Sequence, residues 1–186
     1  QESMKLAVEK GSYPVFGGSD WHTGAYFDKR GYQTIDGGFD WNGLKEKVAI
    51  NGIRNGHLMA VAPNSSTSIL ANSTASIDPI FKLFYSEEKQ DYKIPVTVPD
   101  LNHHTYDYYR KSSAHIVDQR WSIKQNAKRQ RHIDQSISFN IYVENDIRAK
   151  DLLDIHLTAW KEKLKTTYYV RSTSAQEIEE CEACGS

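Results

Sequence analysis

Apolar and polar residues alternate with different periods along this chain, and the periods predict its elements. Residues 1–10 carry a helical pattern that is already under way at Met4-Lys-Leu-Ala-Val and is closed by Gly11. Residues 11–40 are rich in glycine and aromatics and read as ordered loop with short turns. Asp40 is placed to cap a helix over Trp41–Asn51, in which Trp41, Leu44, Val48 and Ile50 keep roughly helical spacing and which Gly52 ends. The run His57–Ala62 is short, apolar and strand-like, and it enters the hydroxyl-rich turn Pro63-Asn-Ser-Ser-Thr-Ser68 before a helical start at Ile69. Residues 79–98 read as extended, and residues 101–131 as helical with Trp121 and Ile123 turned inward. Asp134–Val143 alternates and predicts a strand. Ala149–Lys165 predicts an amphipathic helix with Leu152, Leu153, His156, Ala159, Trp160 and Leu164 on one face. It leads into the β-prone Thr166–Val170. From Arg171 onward apolar content nearly vanishes, which predicts a mobile tail. Strands alternating with helices point to an α/β fold with parallel pairing.

Composition narrows the class. The 186 residues suffice for a domain with a real core, and 39% hydrophobic with 11% aromatic residues argues against disorder. A net charge of −1 gives no bulk attraction to nucleic acid or to a membrane surface. The basic stretch Lys124–His132 reads as a solvated helix face. No apolar run approaches the roughly 18 residues needed to span a bilayer. The first residues lack the apolar core of a secretion signal, so the cytoplasm is the expected location. A chain that opens directly into a helix also reads as a cut through a larger protein.

Three places carry candidate chemistry. At 63–68, hydroxyls and unpaired backbone N–H groups converge at a helix start, which suits a phosphate, although an ordinary Ser/Thr cap has the same pattern. Tyr168-Tyr169 reads as a buried β aromatic pair, and because neighbouring strand residues point to opposite faces, side-by-side stacking would need a local distortion. The only two cysteines, Cys181 and Cys184, form a CxxC pair near the end of the chain. Thiol–disulfide exchange, half of a zinc site and two dispensable cysteines are all open readings; exchange fits an isolated pair on a polar arm best. The seven histidines show no metal-binding spacing, and no Gly-rich phosphate loop or nucleophile elbow is present.

The order of these blocks is more specific than any one of them. Arg54-Asn55, Ala62–Ser68, Asn72–Pro79, Ile133-Asp-Gln-Ser-Ile-Ser138 with Asn140, Lys165-Thr-Thr-Tyr-Tyr169 and the terminal Glu-Cys-Glu-Ala-Cys184 together resemble the C-terminal part of the large, catalytic subunit of class I ribonucleotide reductases. The resemblance runs from about Ser19 to the end. It implies that residues 1–171 are the last strands and helices of a ten-stranded α/β barrel completed by another chain, followed by a flexible redox tail at 172–186. It implies that Asn64, Ser65, Ser66 and Thr67 hold the diphosphate of a ribonucleotide substrate. Tyr169 would take an oxidising equivalent from the small, metal-containing, radical-generating subunit and Tyr168 would pass it to the active-site cysteine. Cys181 and Cys184 would re-reduce the active-site disulfide and be reduced in turn by thioredoxin or glutaredoxin. No cofactor is expected on this chain; the metal and radical belong to the small subunit, and nucleotide effectors to the missing N-terminal part.

The departure is as informative. The family's radical-forming and substrate-reducing cysteines have no counterpart, because no cysteine precedes Cys181. The expectation is one piece of a split large subunit, such as an interrupted phage gene would produce, active only with the chain that carries those cysteines. Two other readings compete. A truncated fragment could serve only as a structural module. A standalone thiol oxidoreductase is disfavoured, because acidic neighbours of Cys181 raise a thiol pKa where such enzymes depress it.

Overall fold

A computed structural model describes residues 1–34, 37–88 and 91–173, with 87 and 88 as backbone only. The packing divides the chain into two compact units, Gln1–Leu58 and Met59–Ser186.

The first unit is helical. α1 (Glu2–Lys10) ends at Gly11, as its pattern predicts. The glycine-rich stretch that follows is more regular than a loop: it forms α2 (Asp20–Thr23), α3 (Ala25–Arg30) and a 3-10 turn at Tyr32–Thr34. The α4 helix (Trp41–Asn51) is capped by Asp40, whose carboxylate accepts from the Gly43 N–H at 2.8 Å, and it stops at Gly52 with φ 75°. Phe27, Tyr32, Val48 and Ile53 form the buried centre, with Trp21, Tyr26 and Trp41 packed on it.

The second unit is built around the C-terminal half of the sequence. A short helix α5 (Ser65–Leu70) follows the hydroxyl-rich turn. Strands β1 (Phe84–Glu88) and β2 (Lys93–Thr97) pair antiparallel from Phe84↔Thr97 to Glu88↔Lys93, so the extended reading of 79–98 resolves into a hairpin. The helical reading of 101–131 holds only in pieces. α6 (Tyr106–Lys111) and α7 (Gln119–Gln130) are separated by a break in which the buried Gln119 amide donates to the carbonyls of Ala114 and Val117. Ile123 is fully buried as expected, whereas Trp121 is 62% exposed with the Lys124 ammonium over its ring.

β3 (Ile141–Val143), α8 (Ala149–Lys161) and β4 (Val170–Ser172) form a strand–helix–strand unit whose strands are parallel. The alternating run 134–140 does not extend the β3 ladder. It meets residues 59–61 through one parallel bridge, Val61↔Ile137, which is all that remains of the strand expected at 57–62. β4 begins at Val170, so Arg171 and Ser172 belong to a strand and not to the tail. Phe139, Ile137, Ile141 and Ile123 are the fully buried centre of this unit, closed by Ile155, Ala159 and Leu164 from α8 and the turn after it.

The buried face of α8 is rotated from the expected one. Ile155 and Ala159 are buried and Leu152 partly so, whereas Leu153 and Trp160 are 58% and 75% exposed. The helix is apolar around much of its circumference, so spacing alone allowed either stripe; contact with α7, including the Arg120–Asp154 ion pair, selects the one that faces the sheet. Among the described residues the strands form two two-stranded sheets and no closed barrel.

Candidate functional site

The candidate site grows from the junction between α8 and β4. After the helix, Leu164 is seated in the core and the Lys165 ammonium donates to the Asp134 carbonyl. These anchors return the chain beside Phe139–Ile141. The Tyr168 N–H donates to the Phe139 carbonyl at 2.8 Å, and the Tyr169 carbonyl accepts from the Ile141 N–H at 2.9 Å. Between them the Tyr169 N–H donates not to a backbone carbonyl but to the side-chain oxygen of Asn140, at 3.4 Å.

The two tyrosines therefore precede the regular ladder, and their rings escape strand alternation. Ring centroids lie 4.0 Å apart at an interplanar angle of 44°, and the Tyr168 hydroxyl donates to that of Tyr169 at 3.3 Å. Both are about half exposed, at 47% and 53%, so the pair is not the buried β pair that the dipeptide alone suggests. The hydrogen bond and proximity to the Tyr169 hydroxyl, with a smaller contribution from desolvation, hold the Tyr168 phenol above its ordinary pKa. The Arg171 guanidinium lies 5.5 Å from the Tyr169 ring centre.

Both tyrosines open onto a cleft of about 470 Å3. Its walls also include Ser65 from the hydroxyl-rich turn, Ser73 and Ser76, and Asn140, Tyr142 and Arg171. Asn64 adopts a left-handed conformation (φ 48°) at the start of α5, and its side chain does not cap the helix. The first N–H groups of α5 have no partner within the helix, as in any helix first turn. Ser65, Ser66 and Thr67 are exposed there, while Ser68 is buried with its hydroxyl on the Ser65 carbonyl. Of the four predicted phosphate residues, Ser65 lines the cleft together with the tyrosines; Asn64, Ser66 and Thr67 are its sequence neighbours on the same turn. Cys181 and Cys184 lie outside the described residues.

Beneath the cleft is a buried polar group that spacing could not reveal. Asp78 accepts from the Asn140 backbone N–H at 3.1 Å and from its side-chain amide at 2.6 Å. Asp78, Asn140 and Tyr142 are each more than nine-tenths buried. Burial pushes the Asp78 carboxyl above the usual carboxylate value, partly offset by the two bonds from Asn140. Burial, reinforced by the Asp78 charge, pushes the Tyr142 phenol up to about 12. Asp78 and Asn140 are 62 positions apart in sequence, so no local motif joins them; the only available signal was that each falls inside one of the ordered blocks.

Known proteins give this arrangement a family. The ribonucleotide reductase barrel-domain model matches residues 1–101 and 89–170, and the chain belongs to that family. Among its relatives is the ribonucleoside-diphosphate reductase alpha subunit of Treponema pallidum, 50% identical over the whole chain and 21% of the relative. The Helicobacter pylori (strain ATCC 700392 / 26695) alpha subunit is 43% identical over 92% of the chain and 23% of the relative. An alpha subunit of Bacillus phage SPbeta is 30% identical over 99% of the chain and 18% of the relative. The chain thus spans about a fifth of the length of these relatives.

Proposed function

We propose that this chain supplies the C-terminal portion of the large subunit of a ribonucleoside-diphosphate reductase and acts together with the rest of that subunit. In this reading the turn Asn64–Thr67 holds the substrate diphosphate, Tyr168 and Tyr169 transfer the radical, and Cys181 and Cys184 form the tail dithiol. The observation that carries it is the pair of tyrosine rings in contact, opening onto the same cleft as Ser65.

A radical on Tyr169 lacks one electron and the phenolic proton. Tyr168 restores both by giving up its O–H hydrogen as proton plus electron across the 3.3 Å contact, and the radical then resides on Tyr168. Oxidation of Tyr168 by one electron alone would leave a strongly acidic phenol beside its neighbour, so moving both particles together avoids a charged intermediate in the cleft. The oxidising equivalent comes from a metal-bearing small subunit, and Tyr168 delivers it to a cysteine on the remainder of the large subunit. At Asn64–Thr67 the first backbone N–H groups of the helix and the neighbouring hydroxyls would hold the anionic diphosphate. The tail thiols act by exchange: a Cys181 or Cys184 thiolate attacks the disulfide left by substrate reduction, a mixed disulfide forms, and the second thiol releases it. The oxidised tail is then reduced by a thioredoxin- or glutaredoxin-type dithiol.

The test is reconstitution. Mixed with the remainder of the large subunit and the small subunit, the chain is expected to support reduction of ribonucleoside diphosphates. Tyr168→Phe and Tyr169→Phe should each abolish turnover while leaving substrate binding intact. Deoxyribonucleotide formation by this chain alone would sink the proposal, as would full turnover by both phenylalanine variants.

A further inference from the structure

We infer that the buried Asp78–Asn140 pair is a positioning device for the tyrosine pair: Asp78 sets the orientation of the Asn140 side-chain amide, and that amide holds the Tyr169 backbone where the two rings come into contact. The inference rests on the reading of Tyr168 and Tyr169 as radical-transfer residues.

A side-chain amide can be turned either way, and its two ends are chemically opposite. Here the choice is made by Asp78, whose two oxygens accept one bond from the Asn140 backbone N–H and one from its side-chain NH2. The side-chain oxygen must then face the other way, where the Tyr169 N–H donates to it. That bond stands at the one place where the parallel pairing of β3 with β4 has not yet begun, since the ladder starts at Ile141↔Val170. A backbone carbonyl there would continue the ladder and send the two tyrosine side chains to opposite faces. The side-chain oxygen satisfies the Tyr169 N–H without continuing the ladder, and the rings meet at 4.0 Å. Both side chains of the clamp are shielded from water that could substitute for a lost bond: Asp78 and Asn140 are 8% and 4% exposed. A merely space-filling polar pair would have no reason to direct its last acceptor at this particular N–H.

The polarity can be reversed by substitution. In Asp78→Asn the new amide places NH2 against the NH2 of Asn140, and flipping Asn140 only moves the donor–donor conflict onto Tyr169. In Asn140→Asp two carboxylates face one another, and their repulsion opens the clamp at pH values where the pair no longer shares a proton, which is where this variant is read. The double variant, Asp78→Asn with Asn140→Asp, restores the pattern with its ends exchanged. The amide introduced at position 78 accepts from the backbone N–H of position 140 and donates to the carboxylate introduced there. The other oxygen of that carboxylate again accepts from Tyr169. The experiment uses the assembled large subunit with 3-fluorotyrosine at position 168, read by fluorine NMR and pH titration alongside kcat, KM and thermal melting. Ile155→Ala serves as a destabilised control with the clamp untouched.

Each single variant is expected to shift the fluorine signal and bring the position-168 phenol titration down toward that of a solvent-exposed 3-fluorotyrosine. Each should lower kcat by about ten- to a hundred-fold, as small misplacements of reacting groups do, with the nucleotide KM unchanged. The double variant should recover both readouts, and Ile155→Ala should change neither. Single variants that melt earlier but keep the wild-type fluorine signal and kcat would overturn the inference. If the single variants do not fold, hydrogen exchange at the wild-type Tyr169 amide decides: protection equal to that of Ile141 supports the clamp, and exchange at the rate of an unpaired amide refutes it. Tyr168→Phe with normal turnover would refute the radical-transfer reading, while the fluorine signal would still report on the clamp.

Discussion

At the scale of single residues, the cleft floor is governed by desolvation. Tyr142 is buried beside Asp78, and its phenol titrates near 12 in place of the ordinary 10. A folded-state pKa above the unfolded one means that the folded chain holds the proton more tightly, so this group's contribution is fully present below pH 10. It is lost as pH rises through the window between 10 and about 12. Tyr142→Phe should therefore flatten the alkaline fall in stability across that window; urea midpoints for both proteins from pH 8 to 12 provide the check. A fall of the same steepness in the variant would mean that another group is responsible. Asp78 follows the same rule at acid pH: its raised carboxyl favours the protonated folded form, so its contribution weakens as pH rises through its folded value.

At the scale of elements, the sequence was most readable where a local chemical signal marks a boundary. Asp40 and Gly52 enclose α4 and Gly11 ends α1, because a cap or a left-handed terminator acts within one turn. It was least readable where two faces of one helix are both apolar. In α8, Leu153, Leu157 and Trp160 form an outward stripe alongside the inward Leu152, Ile155 and Ala159. The contrast makes a sharp expectation for stability. Ile155→Ala should cost about 2–5 kcal/mol by lost burial and a residual cavity. Trp160→Ala, at 75% exposure, should stay within about 0.5 kcal/mol. Denaturant melts of the two variants measure both, and equal losses would mean that the rotated packing of α8 is wrong. The same limit explains Trp121 and the shift of the last strand to Val170: neighbours far along the chain decided them, and local spacing does not record those neighbours.

At the scale of the whole molecule, the described residues include large apolar side chains that nothing covers. Leu70 is 90% exposed, and Phe84 and Tyr92 are 61% and 60% exposed. Together with a length about a fifth of its relatives, this supports the proposal that the remainder of a large subunit packs against the chain. Isolated chain is therefore expected to self-associate, and addition of that remainder should convert it to a defined complex. Light scattering and sedimentation follow the change, and a monodisperse, stable monomer that ignores the added subunit would count against the proposal.

By itself the sequence determined the family, through the order of its blocks, and it determined the helix ends that single residues mark. It also located the hydroxyl-rich turn and the tyrosine dipeptide, since residue type is enough to name a candidate donor or a redox-active phenol. Only the tertiary structure decided that the two phenol rings touch and share a cleft with Ser65, and that Asp78 reaches across 62 positions to orient the Asn140 amide. The reason is physical: regular strand alternation would send the two rings to opposite faces. It is overcome by a buried hydrogen-bond pattern whose members become neighbours only after folding.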